Sequence, residues 1–480
     1  MLNASLIYED AIEAAAHALD IDASVVRETS LYGSYPPPMG THHSDSHAEP
    51  AKETPAQTTP FGQPLDPCYM REVWDHLKED CGYDARRTKV EEFNAKNRWR
   101  KRGIAIVPIK YGTGFNATFL QQGSGLIGVY SSDGTIFIRQ GGVEMGQGLQ
   151  VKVAQVAANA LNVPLEMIVI GPTDTQVTPN PTSTGASTGA SFNGGAIEEA
   201  CKVLRSRIEE YCFGLQATAG EQFCVDRGID FWNYPEGWRA KKPNATKPIW
   251  SSIISSAYMA RIDLTAQAAF RQPGGNRLIS GVTTHPIGNA PLKDAQLGLC
   301  EFTSFTYSAA CSEVEVDLLS GETTILRTDI CYDAGRSLNP AVDVGQVEGA
   351  FMQGVGSVMS EHLAFETRDP ENLGRLNTLN TWEYKPPAAT SIPIQLNVEL
   401  YWHRPPGALT DPRLLYSSKE VGEPPMVLAS SVYFAIKRAV LAARRDKLGQ
   451  KPEWFELPCP ATPQAVREAC LIDREDLRLA

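Results

Sequence analysis

The sequence predicts an α+β protein, with mixed sheets and packed helices arranged in two subdomains. Three observations carry this. Runs that alternate apolar and polar side chains sit beside runs with apolar residues at helical spacing, and the two kinds follow one another without a regular strand–helix–strand period. Glycine-bearing segments lead into several of the helical runs. The chain, 480 residues with 42% hydrophobic and 21% charged side chains, has the composition of a folded enzyme and the length for more than one core.

The elements are taken in order. The opening segment carries Ile7, Ile12, Ala15, Ala16 and Leu19 at helical spacing. It holds Glu9, Asp10 and Glu13 and lacks a basic region before an unbroken apolar core, so it does not read as a signal peptide. Residues 33–60, rich in Pro, Ser, Thr and His, cannot bury enough apolar surface to offset their ordering entropy and read as a disordered insertion; His42, His43 and His47 read as part of that solvated loop. Asp66 to Arg102 is helical in pattern, through Trp74, Leu77, Val90, Phe93 and Trp99. Two strands follow, Leu126 to Tyr130 and Thr135 to Gln140, joined at Ser132-Asp133-Gly134. Residues 226–247, rich in Gly, Pro, Asn and Lys, read as a surface insertion. EVEVDLLSGETTILRTDI, turning at Ser320-Gly321, reads as a β-hairpin.

Charge and cysteine usage exclude several functions. A net charge of −12 with no basic stripe disfavours nucleic-acid binding. The ten cysteines form no CxxC pair, which argues against an iron-sulfur cluster or zinc ribbon and for buried, reduced thiols. No apolar run reads as a membrane span, and a cytoplasmic location is expected, with a peroxisomal one open.

Four segments carry the chemistry. GGVEMGQG precedes Leu149, Val153, Val156 and Ala160; STGASTGASFNGG precedes Ile197, Cys201, Leu204 and Ile208; Gly345-Gln346 precedes Val347, Phe351 and Val355; and VGEPP stands before MVLASSVYFAI. Glycine lets backbone N–H groups approach a ligand, and a helix N-terminus favours anions. Gln147 and Gln346 add amides that both donate and accept. Taken singly each segment reads equally as a turn with a helix cap; together they predict one cavity for a large, partly anionic ligand such as a pterin phosphate. There is no GxxxxGK[ST] motif and no dinucleotide-binding GxGxxG context.

GGVEMGQGLQVKVAQVA, PNPTSTGASTGASFNGGA, RTDICYDAGRSLNPAVDVGQVEGAFMQGVG and SSKEVGEPPMVLASSVYFAIK together resemble the C-terminal, molybdopterin-binding region of the xanthine oxidase / aldehyde oxidase family, in order from about Leu6 to Arg444. The resemblance implies a molybdenum-molybdopterin cofactor whose metal is held through the pterin and not by a side chain. It makes Glu423 the general base of a hydroxylation that uses water as oxygen donor. A helix N-terminus favours the ionised carboxylate, the state a base requires, although a capping role alone would also place an acid there. The resemblance implies cofactor contacts at Gly146, Gln147, Gly148, Ser187, Gln346 and Gly422, and substrate contacts at Phe115 and Ala186. Gly185, Gly189 and Asn116 depart from the family's usual residues.

The resemblance implies purine oxidation, hypoxanthine and xanthine to urate. Aldehyde oxidation is one alternative, and a non-catalytic cofactor-binding fragment of a split or truncated enzyme is another. Iron-sulfur clusters, FAD and NAD are implied only for the complete enzyme, whose N-terminal modules would lie in cis or on another chain, and which is expected to be a homodimer. The expected organisation is a helical remnant of the preceding subdomain at 1–32, the insertion at 33–60, the molybdopterin-binding domain at 61–450 and a tail at 451–480.

Overall fold

A computed structural model describes residues 2–33, 57–59, 63–65, 67–115, 118–219, 237, 249–272, 302–401, 411, 413–473 and 476. Most of the expected insertions at 33–60 and 226–247, with His42, His43 and His47, lie outside the described residues, as does Asn116.

The chain begins with α1 (Leu2–Leu19) and α2 (Ala23–Ser30), the second capped by the Asp22 side chain on Ser24 N–H at 2.8 Å. The buried face of α1 differs from the expected one. Ile7 and Leu19 face solvent, 74% and 66% exposed, whereas Glu9 and Glu13 are buried beside Leu6, Ile12 and Ala16. Ion pairing explains this: Glu9 and Glu13 meet Arg27 at 2.7 and 2.9 Å, and Glu13 also meets Arg438 at 3.0 Å. A face buried through charge pairs leaves no hydrophobic period to read.

The helical stretch expected from Asp66 to Arg102 is two helices, α3 (Met70–Asp80) and α4 (Tyr83–Lys96), broken at Gly82 in the left-handed region at φ 63°. The chain then extends as β1 (Arg100–Gly112), a strand the sequence reading did not assign. β1 heads a four-stranded sheet, ordered β1-β6-β7-β8, with β6 (Phe305–Asp317), β7 (Thr323–Tyr332) and β8 (Gln395–Leu400). Its first two pairings are antiparallel and the last parallel. β6 and β7 form the expected hairpin across Ser320-Gly321.

The second sheet, ordered β4-β3-β2-β5, joins β2 (Gln122–Val129), β3 (Ile136–Gln140), β4 (Ile168–Ile170) and β5 (Thr265–Arg271). Its helices are α5 (Leu149–Leu161), α6 (Gly189–Ala219) and α7 (Ile249–Met259). Ile127, Ile138, Val153, Ile197, Leu204 and Trp250 form its core. Of the positions read as helix faces, Ile197, Cys201, Leu204 and Ile208 are fully buried, as are Val347, Phe351 and Val355.

The last three belong to α8 (Pro340–Met359), which packs on the first sheet with α9 (Pro424–Leu428), α10 (Ser430–Leu448) and α11 (Pro463–Ala469). Val107, Val314, Ile330, Phe351, Phe434 and Ile436 fill this core, while α3 covers the opposite face of the sheet through Trp74. A Cβ on Gly103 of β1 would lie 1.9 Å from the Ala435 carbonyl oxygen, so strand and α10 meet backbone to backbone. Pro424–Leu448 is long and apolar enough to cross a membrane by length and composition alone, but 78% of its apolar window is buried inside the protein, which accounts for its composition.

Candidate active site at the seam between the two cores

The residues singled out from the sequence gather where the two cores meet. α5 and α6 come from the second core, and α8 and the loop before α9 from the first. Gly148 caps α5 at φ 74°, and a Cβ there would lie 2.7 Å from Val342 Cγ1 on α8. Lys152 of α5 forms a buried ion pair with Asp343 of α8, and Asn339 Nδ2 donates to Gln155 Oε1 at 3.1 Å. Gln147, next to Gly148, thus lies beside the first turn of α8, and Gln346 stands one turn further along that helix.

The segment before α5 folds differently from the expectation of free N–H donors. Glu144 closes that helix end on itself: Oε1 accepts from Gly146 and Gly148 N–H at 2.9 and 3.1 Å, and Oε2 accepts from Gln150 N–H at 2.9 Å. Burial pushes the Glu144 carboxyl up, and these backbone donors outweigh it and hold the group below its ordinary value. Gln147 Oε1 accepts from Met145 N–H at 2.7 Å and its Nε2 donates to the Val143 carbonyl at 2.8 Å, which leaves one amide hydrogen and one lone pair for a ligand. Nor does Gln346 open a helix. α8 starts at Pro340, capped by Asn339 Oδ1 on Val342 N–H at 3.2 Å, so Gly345-Gln346 lies in its second turn.

Ala186 and Ser187 both adopt the left-handed region, at φ 50° and 59°. Each costs on the order of 1 kcal/mol or more for a residue with a side chain. The strain is held by specific bonds. Thr188 Oγ1 donates to the Gly185 carbonyl at 3.0 Å, and Ser187 Oγ accepts from Glu423 N–H at 2.7 Å. Gly422 passes directly over this serine, since a Cβ there would come within 3.0 Å of Ser187 Oγ. Phe115 is half-buried, with its ring 6.2 Å from that of Phe192; a Cβ on Gly185 would reach Phe115 Cε1 at 3.3 Å, so this departure from the family pattern leaves room for the aromatic ring.

Glu423 occupies the N-cap position of α9 but makes no side-chain cap hydrogen bond. Its Oε2 accepts from Tyr111 Oη at 2.7 Å, and among the described residues no hydrogen bond occupies Oε1. Burial, the hydrogen bond to Glu423 and the charges of Glu423 and Glu420 together push the Tyr111 phenol well above its ordinary range, so Tyr111 stays a donor. The sequence reading missed Tyr111, Glu144 and the Lys152–Asp343 pair. The nearest signal for Tyr111 was its place four residues before Phe115 in YGTGF.

The glycines test whether this seam suits a large bound group. Among the described residues, Cβ atoms on Gly146, Gly345 and Gly349 would meet nothing within 4 Å. Gly345 and Gly349 lie inside α8, where glycine costs about 1 kcal/mol relative to alanine, and none of the described residues requires them to lack a side chain. They keep one face of α8 bare beside Gln346, and a polar cofactor approaching that backbone fits the arrangement.

The sequence matches the family described as molybdopterin cofactor-binding domain over residues 76–393. It is 38% identical to xanthine dehydrogenase/oxidase of Rattus norvegicus over 86% of the chain and 27% of that protein, and 39% identical to xanthine dehydrogenase 1 of Arabidopsis thaliana over 86% and 26%. It is 36% identical to aldehyde oxidase 2 of Mus musculus over 98% of the chain and 30% of that protein. The chain therefore spans about a quarter to a third of the length of these relatives. By fold it is similar to CO dehydrogenase from Oligotropha carboxidovorans (TM-score 0.70, 16% identity, 98% of this chain, 51% of that one) and to aldehyde oxidoreductase from Desulfovibrio gigas (TM-score 0.66, 21% identity, 98% and 41%). The chain belongs to the molybdopterin cofactor-binding domain family, as a C-terminal molybdenum-binding region of the xanthine oxidase / aldehyde oxidase type.

Proposed function

We propose that this chain is the molybdopterin-binding part of a hydroxylase that oxidises purines, hypoxanthine and xanthine to urate, with Glu423 as general base. The observation that carries the reading is the way Glu423 is held. Ser187 fixes its backbone, Tyr111 fixes Oε2, and among the described residues Oε1 is left open. Hydroxylation of a C–H by water releases two electrons and two protons. When bound, the molybdenum cofactor supplies the two-electron acceptor. Glu423 Oε1 takes up one proton, and Tyr111 Oη stabilises the carboxylate before transfer and keeps its plane fixed. Gln147, Gln346 and the bare glycines Gly146 and Gly345 hold the cofactor, with Gly148 and Gly422 shaping the backbone on either side. Phe115 and the small Ala186 face the substrate, the aromatic ring suiting a flat heterocycle.

Identities of 38–39% to proteins named xanthine dehydrogenase support purine oxidation. The 36% identity to aldehyde oxidase 2 over 98% of the chain supports aldehydes as the alternative. In the complete enzyme, N-terminal modules with iron-sulfur clusters and FAD would carry electrons to NAD, in a cytoplasmic homodimer. Replacing Glu423 with Gln in that enzyme is expected to lower hydroxylation by about 10²- to 10⁴-fold while molybdenum content is unchanged. Turnover within twofold of wild type would overturn the assignment of the base.

A further inference from the structure

Three residues before Glu423, on the same loop, stands a second carboxyl. Glu420 is 3% exposed. Its Oε1 accepts from Ser191 Oγ at 3.1 Å, and its Oε2 is buried with no hydrogen-bond partner among the described residues. Ser191 lies in the first turn of α6, four residues beyond Ser187, so the two carboxyl-bearing residues of the loop are tied to one stretch of chain by two serines. The Glu420 carbonyl accepts from Tyr332 Oη at 2.6 Å, which fixes the main chain from the β7 side.

The groups around it leave its charge largely uncompensated. Lys419, its neighbour in sequence, is engaged by Asp333 and by the Phe305 carbonyl, both at 2.6 Å. Tyr111 faces it from β1 and Tyr332 from β7, and burial keeps both phenols protonated. Glu423 adds negative charge on the same loop. A buried carboxylate with only hydroxyl and backbone donors and no bonded cation is costly, and taking up a proton removes most of that cost. Burial pushes Glu420 up to about 7, against the smaller opposing effects of the Thr113 hydroxyl, its own backbone N–H, the Ser191 hydroxyl and Lys419.

We propose that Glu420 is a positioning residue for Glu423: as a neutral acid it anchors the loop on α6, and its ionisation places a second buried negative charge beside Tyr111 and the base and disables the site. This rests on the reading of Glu423 as general base. The neutral acid is the working form, and the enzyme carries a titrating brake that no cofactor or substrate group supplies.

Two measurements test it. In the 480-residue chain without cofactor, the infrared difference between wild type and E420Q should show a protonated-carboxyl C=O band that disappears with a midpoint near pH 7. In the complete enzyme, kcat/KM for benzaldehyde, which has no titrating proton, should fall about tenfold between roughly pH 6 and pH 8 in wild type and stay flat in E420Q. No protonated carboxyl assignable to Glu420 anywhere from about pH 5 to pH 9 would overturn the proposal. So would superimposable pH profiles for wild type and E420Q when E423Q is inactive, whereas an active E423Q would overturn the reading of the base itself.

Discussion

Tyr111 decides how Glu423 presents its carboxylate. A hydrogen bond to a charged group contributes about 1.5–3 kcal/mol, so Tyr111→Phe should lower kcat/KM by on the order of 10- to 100-fold. Steady-state kinetics on the complete enzyme check this. Glu420 gives a prediction for stability. Its folded-state pKa lies above its ordinary 4.5, so the unfolded chain releases this proton first as pH rises. The resulting loss of stability starts near pH 4.5, grows to about 3 kcal/mol and is complete above about pH 7. E420Q should remove that loss, raising Tm relative to wild type at pH 8 but not at pH 4, as read by thermal unfolding of the two proteins. Glu423 and Ser187 were singled out in the sequence because their motifs are distinctive, and the structure joins them by a hydrogen bond. Glu420 was not, because beside Lys419 and Glu423 it reads as part of a solvated charged loop, and its burial comes from β1, β7 and α6, remote in sequence.

Among the elements, the helices were read with the right faces where burial is apolar, as in α6 and α8, and with the wrong face in α1, where Glu9 and Glu13 are buried by Arg27 and Arg438. The start of α8 was misplaced by several residues, since the glycine step drew attention from the Asn339-Pro340 signal. β1 escaped because its turn-free run follows the basic stretch RWRKR, whose residues pair outward with Glu313 and Glu315 of β6. The contact between α5 and α8 yields two predictions. Asp343→Ala leaves Lys152 as a buried unpaired charge and should destabilise the chain by about 3–5 kcal/mol, while adding Lys152→Met should recover part of the loss, measured by denaturant unfolding. Gly148→Ala combines a left-handed backbone with a Cβ only 2.7 Å from Val342, and should lower Tm and reduce molybdenum retained on purification.

Across the whole molecule, the α+β class and the two subdomains were legible because each core has its own hairpin and its own periodic helices. The four glycine-bearing segments pointed to their meeting at one cavity, but the pairs that join them were not legible, since Lys152–Asp343 and Ser187–Glu423 span 191 and 236 positions and no local pattern encodes such pairs. The purified chain is expected to show no iron-sulfur absorbance, for want of a clustered cysteine set; visible iron-sulfur bands would contradict the cysteine reading. The placing of the site at the seam also sets how the protein responds to its cofactor. A ligand that touches both α5 and α8 binds only when the cores are docked, so by mass action each tenfold excess over its dissociation constant adds about 1.4 kcal/mol to the docked state. Loading then acts as an adhesive, and a calorimetric trace with separable melting of the two cores in the empty chain should merge into one cooperative transition once the cofactor is in place.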